Sequence, residues 1–383
     1  MKKTAIGTAR LIVGILFIFS GLIKANDPLG LSYKMQEFFE VWHLPALDAY
    51  SLVFSVLMIA FEILAGIAVL IGWRMKLFAW LLLLLILFFS FLTGYAVLSG
   101  KIRECGCFGN CIPLQAMGSF IKDLLLLFLI GFLFIYRKEI KPRISNSVAL
   151  LLLTLTVLFT FSVQWYALHF LPFIDCLPFK TGTNIEEKMK PPVGAIPDST
   201  VIHFIYEKDH KQLEYASDQL PADLDSSYIF IKRYDKLIRK GNAEPEIKDF
   251  SLSSESGNDT TNQILERPGY KLILFSRAFT ESNPQWNKSF FLLYTMAKLK
   301  NIPVYLVTSN RSEAETFLLA NALRNEIPVF TCDGTAIKTA ARTDPTLFLL
   351  KKSTILGKWS YHAMVSALST MAELSIQPSE SLQ

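Results

Sequence analysis

The chain is short of charge, histidine and cysteine, and each shortage closes off a class of protein. Only 19% of its 383 residues are Asp, Glu, Lys or Arg, below the roughly 25% of an ordinary soluble domain. Its mean hydropathy is +0.35, whereas a soluble chain of two or three domains would have a negative mean. The net charge of +5 comes from Lys and Arg shared between short turns and polar surface, so a nucleic-acid binder is disfavoured. Five cysteines are too few for a disulfide scaffold. P-loop, GxGxxG, HExxH and GxSxG patterns are all missing, which leaves phosphoryl, hydride and acyl transfer without residues to perform them. His203, His210 and His362 lie scattered among polar neighbours and read as surface or satisfied core residues.

What the chain has is apolar length. A hydrocarbon core takes about 20 helical residues to cross, and residues 5–24, 51–73, 77–98, 117–136 and 147–171 qualify. The run AWLLLLLILFFSFL is apolar on every face, which a soluble amphipathic helix does not tolerate. Lys2 and Lys3 before a short apolar run also suit a secretory signal. A retained helix is expected, because the segment leads into further spans without a small-x-small cleavage site. Trp42, Trp73, Trp165 and Tyr166 read as interfacial anchors. Lys2, Lys3 and Arg10, then Arg74 and Lys76, then Arg137, Lys138, Lys141 and Arg143 fall on one side of five crossings. Short-loop Lys and Arg mark the cytoplasmic side. The expected topology is therefore N-terminus in and C-terminus out, with Lys101 and Arg103 outvoted. In a bacterial inner membrane everything after residue 172 is then periplasmic.

Three of the cysteines fall within seven residues of the outer loop SGKIRECGCFGNCIPLQA. Cys105, Cys107 and Cys111 form C-x-C-x3-C, with Gly106 and Gly109 loosening the backbone around Phe108. Three readings compete: a redox-active thiol set, a static disulfide pinning the loop, and a soft-metal site. A metal needs a fourth ligand and the loop has no His, so no metal is assigned. A Cys105–Cys107 bond closes a tight ring, and strained disulfides are the labile ones. Cys176, in PFIDCLPF at the same face, is either an extra thiol for the cluster or, as preferred, an unpaired interfacial residue. Glu62 lies near the middle of span two, and intramembrane carboxylates are functional candidates. It serves either proton exchange or a structural pairing with Arg10, Lys24 or Lys122. Lys24 is expected to snorkel outward, and Asp123 lies at a depth from which it can act on the thiols.

Cys105-Gly106-Cys107-Phe108-Gly109 between two spans resembles the cysteine motif of the MauE branch of DoxX-like membrane proteins. GILFIFSGLIKANDP resembles the first helix and following loop of DoxX-family proteins. The resemblance covers about 5–136 and implies a four-helix bundle with a redox-associated role. No cofactor is evident; a quinone suits the redox reading.

After residue 172 charge and proline return. TVIHFIY and SSYIFIKRY read as strands. PEIKDFSL, KLILFS, a helix near 287–299, PVYLVTS, a helix from Ser312 to Asn325 and TLFLL then imply a sheet with parallel neighbours and helical crossovers. Residues 245–365 resemble the thioredoxin-like fold of membrane-tethered thiol–disulfide proteins. PEIKDFSL is matched to the opening strand and Pro345 to the cis-proline beside the family's dithiol. The departure is that SRAFTESNPQW stands where the family places Cys-x-x-Cys. Cys332 reads as a small buried residue.

The expected architecture is a four-helix membrane domain (1–145), a fifth transmembrane helix (146–172), a linker with a small α/β subdomain (173–244) and a degenerate thioredoxin-like domain (245–383). Two functions follow. In one, the protein exchanges electrons or disulfides with an extracytoplasmic thiol protein, as a thiol–disulfide or quinone-linked oxidoreductase component. Cys105 and Cys107 exchange, Cys111 resolves, and Glu62 and Asp123 handle protons. In the other it is a membrane scaffold with a structural disulfide and a partner-binding thioredoxin-like domain. The clustered thiols favour the first; the sequence sets no oligomeric state.

Overall fold

The computed structural model describes residues 1–376, except 101, 103–105, 107, 113, 210, 222, 223, 226, 240 and 278–283. Cys105, Cys107, His210, Lys101, Arg103 and the middle of SRAFTESNPQW lie outside the described residues.

Among the described residues five helices are long and apolar enough to cross a membrane: α1 (Lys2–Asn26), α3 (Ser51–Ile71, entered through a 3-10 turn at Pro45–Tyr50), α4 (Met75–Ser99), α5 (Ala116–Ile135) and α6 (Asn146–Phe170). Their outer faces are Leu, Ile and Phe, as a hydrocarbon solvent demands, and their backbone hydrogen bonds close internally. α1 crosses α3 closely because Gly14 and Gly66 face each other; a Cβ on Gly66 would lie 2.9 Å from the Gly14 carbonyl oxygen. α5 packs on α4, and α6 packs on α3 and α1.

Contacts sort the bundle's two ends. At one, Arg10 caps the end of α3 by donating to the carbonyls of Val69 (3.0 Å) and Leu70 (2.8 Å), and Lys2 pairs with Glu139. At the other lie the turn after α1, the loop after α4 and the end of α6. Residues 25–50, between the first two expected spans, contain helix α2 (Pro28–Val41). Pro28 suits its first turn, and the Asp27 side chain accepts from Gly30 N–H as N-cap. Trp42, just past α2, packs among Phe38, Phe91 and Tyr95.

Beyond α6, a short helix α7 (Ile185–Lys188) leads to an antiparallel sheet of β1 (Ser199–Lys208), β2 (Lys211–Ala216) and β3 (Ile229–Arg239), in the order β2-β1-β3. Among the described residues this sheet has no helix of its own. Residues 182–185 instead bond along Ser353–Ile355, and Phe179 and Ile185 join the C-terminal core.

The C-terminal unit runs α8 (Thr261–Glu266), β4 (Tyr270–Ser276), α9 (Pro284–Leu299), β5 (Val304–Thr308), α10 (Arg311–Ala320), β6 (Val329–Thr331), α11 (Gly334–Ala340), β7 (Thr346–Lys351), β8 (Thr354–Ser360) and α12 (Met364–Glu373). The sheet order is β6-β5-β4-β7-β8, with β4, β5 and β6 parallel and β7 and β8 antiparallel to their neighbours. The crossovers, the antiparallel hairpin and the cis Asp344–Pro345 peptide just before β7 form a thioredoxin-like arrangement. The strands read as continuous apolar runs because both sheet faces are covered. Ile273, Phe275, Phe348 and Leu350 enter one core, while Leu272, Leu274, Leu347 and Leu349 enter the other, beneath α9 and α12. PEIKDFSL forms no strand: Ile247, Phe250 and Leu252 drop into the core and only Ser253 bridges to Thr331. α10 ends at Ala320, short of the expected Asn325, because Ala322 takes a positive φ of 58°.

Candidate functional site

The site lies at the end of the bundle that meets the thioredoxin-like unit, where α2, the cysteine loop and the Arg342–Pro345 segment converge. Asp27 is its hub. Besides capping α2 it accepts from Asn110 Nδ2 at 2.9 Å and from Arg342 Nε at 2.9 and 3.0 Å. The Arg342 and Asp27 side chains are 5% and 10% exposed, so this is a desolvated pair. One carboxylate thus ties together a bundle helix, the cysteine loop and the C-terminal unit. Tyr33, one turn along α2, has Arg277, Lys338 and Arg342 within 6 Å of its ring, at 5.9, 5.1 and 5.4 Å. Burial holds its phenol above the ordinary value, against the pull of Arg277 and Arg342. Asp344 accepts from the Ser276 hydroxyl (2.7 Å) and from Arg277 N–H (3.0 Å), fixing the segment that enters the cis Pro345 bond. Within electrostatic reach of this hub, Lys358 lies 2.9 Å from Asp175. Burial lowers the Lys358 ammonium below its usual range while Asp175 opposes this.

The described part of the cysteine loop is held by its own sequence. Gly106 and Gly109 have φ of 65° and 57°, backbone that L side chains resist, and a Cβ on Gly106 would press against Lys34 at 3.0 Å. Phe108 lies between the Phe19 ring (5.9 Å) and the Lys122 ammonium (5.0 Å). Cys111 is bonded to Cys176, 65 residues on, with Cα atoms 4.8 Å apart. This corrects two expectations. Cys176 is not an unpaired interfacial residue, the preferred reading, but joins the cluster, as the alternative had it, and Cys111 is already committed to it rather than waiting to resolve a bond between its neighbours. Pairing across 65 residues leaves no local signal; only the shared membrane face hinted at it. Cys332 lies apart, free and buried, and burial pushes its thiol up to about 11.

Beneath the loop is a cavity of about 510 Å³, lined by Gly106, Phe108, bundle residues and α2. Its polar wall includes Lys34 and two ion pairs. Lys24 Nζ lies 2.6 Å from Glu62 Oε1, both side chains almost fully buried, and the Ser20 hydroxyl donates to Glu62 Oε2 at 3.2 Å. Lys24 therefore does not snorkel outward; Glu62 holds it inside. Lys122 Nζ lies 2.8 Å from Asp123 Oδ1, and Thr93 donates to Asp123 Oδ2 at 3.1 Å. Of the pairings open to Glu62, Lys24 takes the place, while Arg10 serves the opposite end. Sequence reading missed Asp27, Tyr33 and Arg342. The N-cap pattern Asn-Asp-Pro was the signal available for Asp27; Arg342 sits in an unremarkable loop.

Fold and site together define a multi-pass membrane protein with an appended thioredoxin-like domain. Residues 2–136, about a third of the chain, match the family model described as methylamine utilisation protein MauE, so the N-terminal region is a MauE-like membrane domain. Residues 200–240, the three-stranded sheet, match a domain of unknown function. Protein TlpB of Flavobacterium psychrophilum is 26% identical over 196 residues, and the chain spans about half the length of that curated relative (50% of each). Among solved structures, a thiol:disulfide interchange protein from Bacteroides sp. aligns at 14% identity and TM-score 0.27, covering 34% of this chain and 88% of that one. A thiol-disulfide oxidoreductase from Bacteroides fragilis aligns at 20% and 0.26, covering 32% and 96%.

Proposed function

We propose that this chain is a bacterial inner-membrane thiol–disulfide component. Cys105 and Cys107 exchange a disulfide with an extracytoplasmic thiol protein, and the thioredoxin-like domain lies on the periplasmic side. The observation that carries this reading is the Cys111–Cys176 bond. It accounts for the third thiol of the loop and leaves Cys105 and Cys107 as the pair. Each is bonded directly to Gly106, which lines the cavity with the two ion pairs. In the exchange step a thiolate of the partner attacks one sulfur of the Cys105–Cys107 disulfide and forms a mixed disulfide. The partner's second thiolate then displaces the loop sulfur. The partner's dithiol is oxidised to a disulfide, the loop disulfide is reduced to a dithiol, and two electrons and two protons cross. The C-x-C ring suits the accepting role because strained disulfides are the more oxidising ones.

The purified full-length chain, oxidised and in detergent, should oxidise a reduced Cys-x-x-Cys peptide at one disulfide per chain. Cys105→Ser or Cys107→Ser should abolish this and Cys332→Ala should leave it unchanged. Wild-type oxidation by the Cys105→Ser/Cys107→Ser double variant would overturn the reading.

The scaffold reading has two observations in its favour. The thioredoxin-like unit lacks Cys-x-x-Cys, and its Arg342 and Lys338 are engaged with Asp27 and Gln36 of the same chain. In that case the peptide stays reduced with every variant.

A further inference from the structure

We infer that the cavity beneath the cysteine loop binds a membrane quinone, which takes the electron pair from the Cys105–Cys107 dithiol; this rests on the exchange role proposed above. The cavity has the size of a small-molecule site, within the roughly 300–1,000 Å³ range. Its mouth opens to lipid: Phe54, Leu57 and Phe88 line it and are also 41%, 54% and 43% exposed on the bundle surface. A ligand therefore enters from the bilayer and must be largely apolar. Trp42, Phe61 and Phe89 continue the wall inward and suit a flat ring and its prenyl tail.

The polar wall selects among apolar ligands. A hydrocarbon chain would leave two ion pairs facing it with nothing to bond. A quinone brings two carbonyl acceptors. The Lys24 ammonium has three donors, one of them directed at Glu62. Asp123 is fully buried, and its Oδ1 accepts no aligned hydrogen bond among the described residues, although Lys122 lies 2.8 Å away. A quinol hydroxyl can donate to a lone pair of this carboxylate that Lys122 and Thr93 leave open. An acid beside each of two ammonium groups is also what two-proton chemistry at two oxygens needs.

The balance closes with no further reactant. The Cys105 and Cys107 thiols lose two electrons and two protons as the S–S bond forms. The quinone gains two electrons and two protons and leaves as the hydroquinone through the lipid-facing mouth. Glu62 and Asp123 pass the protons to its oxygens.

The test uses the full chain in phospholipid nanodiscs with an azido-substituted decyl benzoquinone as photoprobe, followed by peptide mapping. Labelling should fall on peptides containing residues 54–62 and 85–93. Excess decyl benzoquinone should remove it and decylcyclohexane should not. It should persist in the Cys105→Ser/Cys107→Ser variant, which separates binding from thiol exchange. Asp123→Asn and the milder Thr93→Val should each weaken it, the first by about tenfold. Reduced wild-type protein given decyl benzoquinone should form one quinol per chain, and the double serine variant none. Equal competition by decylcyclohexane, absent cavity labelling, or a wild-type dithiol that quinone leaves reduced would each overturn the inference. The peptide assay above runs without quinone, so its failure is read independently.

Discussion

At the scale of single residues, the chemistry depends on what each titratable group is buried against. Glu62 and Lys24 are buried together, and breaking a buried pair by removing one partner costs about 3–5 kcal/mol because the other charge is stranded. Glu62→Leu should therefore lower the unfolding midpoint strongly, and adding Lys24→Met should recover most of the loss. Thermal unfolding of the two variants in one detergent measures this; additive losses would mean the pair is not coupled. Cys332 makes an internal control. With its thiol at about 11, only about one part in a thousand is thiolate at pH 8. Iodoacetamide at that pH should leave it unmodified until the protein is denatured. Lys271 donates to the carbonyls of Ile264, Leu265 and Arg267, and burial lowers its ammonium from 10.5 to about 8. The unfolded chain then holds more protons between those values, so stability should rise as pH goes from about 8 to 10.5. That rise should vanish in Lys271→Met, as thermal unfolding across the range would read.

At the scale of elements, α2 joins bundle, cysteine loop and thioredoxin-like unit through Asp27. Asp27→Asn keeps an N-cap but gives up the charge that meets Arg342; Asp27→Ala gives up both. Limited proteolysis near residues 172–176 should accelerate in the order wild type, Asn, Ala, whereas equal rates would remove Asp27 from that role. The Cys111–Cys176 bond closes 65 residues. Chain entropy then allows it up to about 4 kcal/mol, less where the helices are already inserted, so Cys176→Ser should lower the unfolding temperature measurably. The five spans were legible because bilayer thickness writes itself into sequence as unbroken apolar length. Strands β4, β5 and β7 were legible as apolar runs between turn residues. α2 was not, since Pro28, Gly30 and mixed polarity hide a helix whose stability comes from packing. PEIKDFSL was misread as a strand because apolar spacing alone cannot distinguish a ladder from side chains dropping into a core. Strands as short as β6 carry little pattern.

At the scale of the whole molecule, the thioredoxin-like unit faces its own membrane domain. The chain keeps that unit beside the cysteine loop, although SRAFTESNPQW brings no thiol to it. This much follows from side-chain contacts that local pattern does not encode: Asp27 and Arg342 are 315 positions apart. The central claim is that the loop pair exchanges while the other disulfide does not. Thiol trapping in intact cells, with and without mild reductant, followed by peptide mass mapping, tests it most directly. Cys105 and Cys107 should move together between oxidised and reduced as the setting changes, with Cys111–Cys176 oxidised throughout. A Cys105–Cys107 pair fixed in one state at every setting would contradict the account.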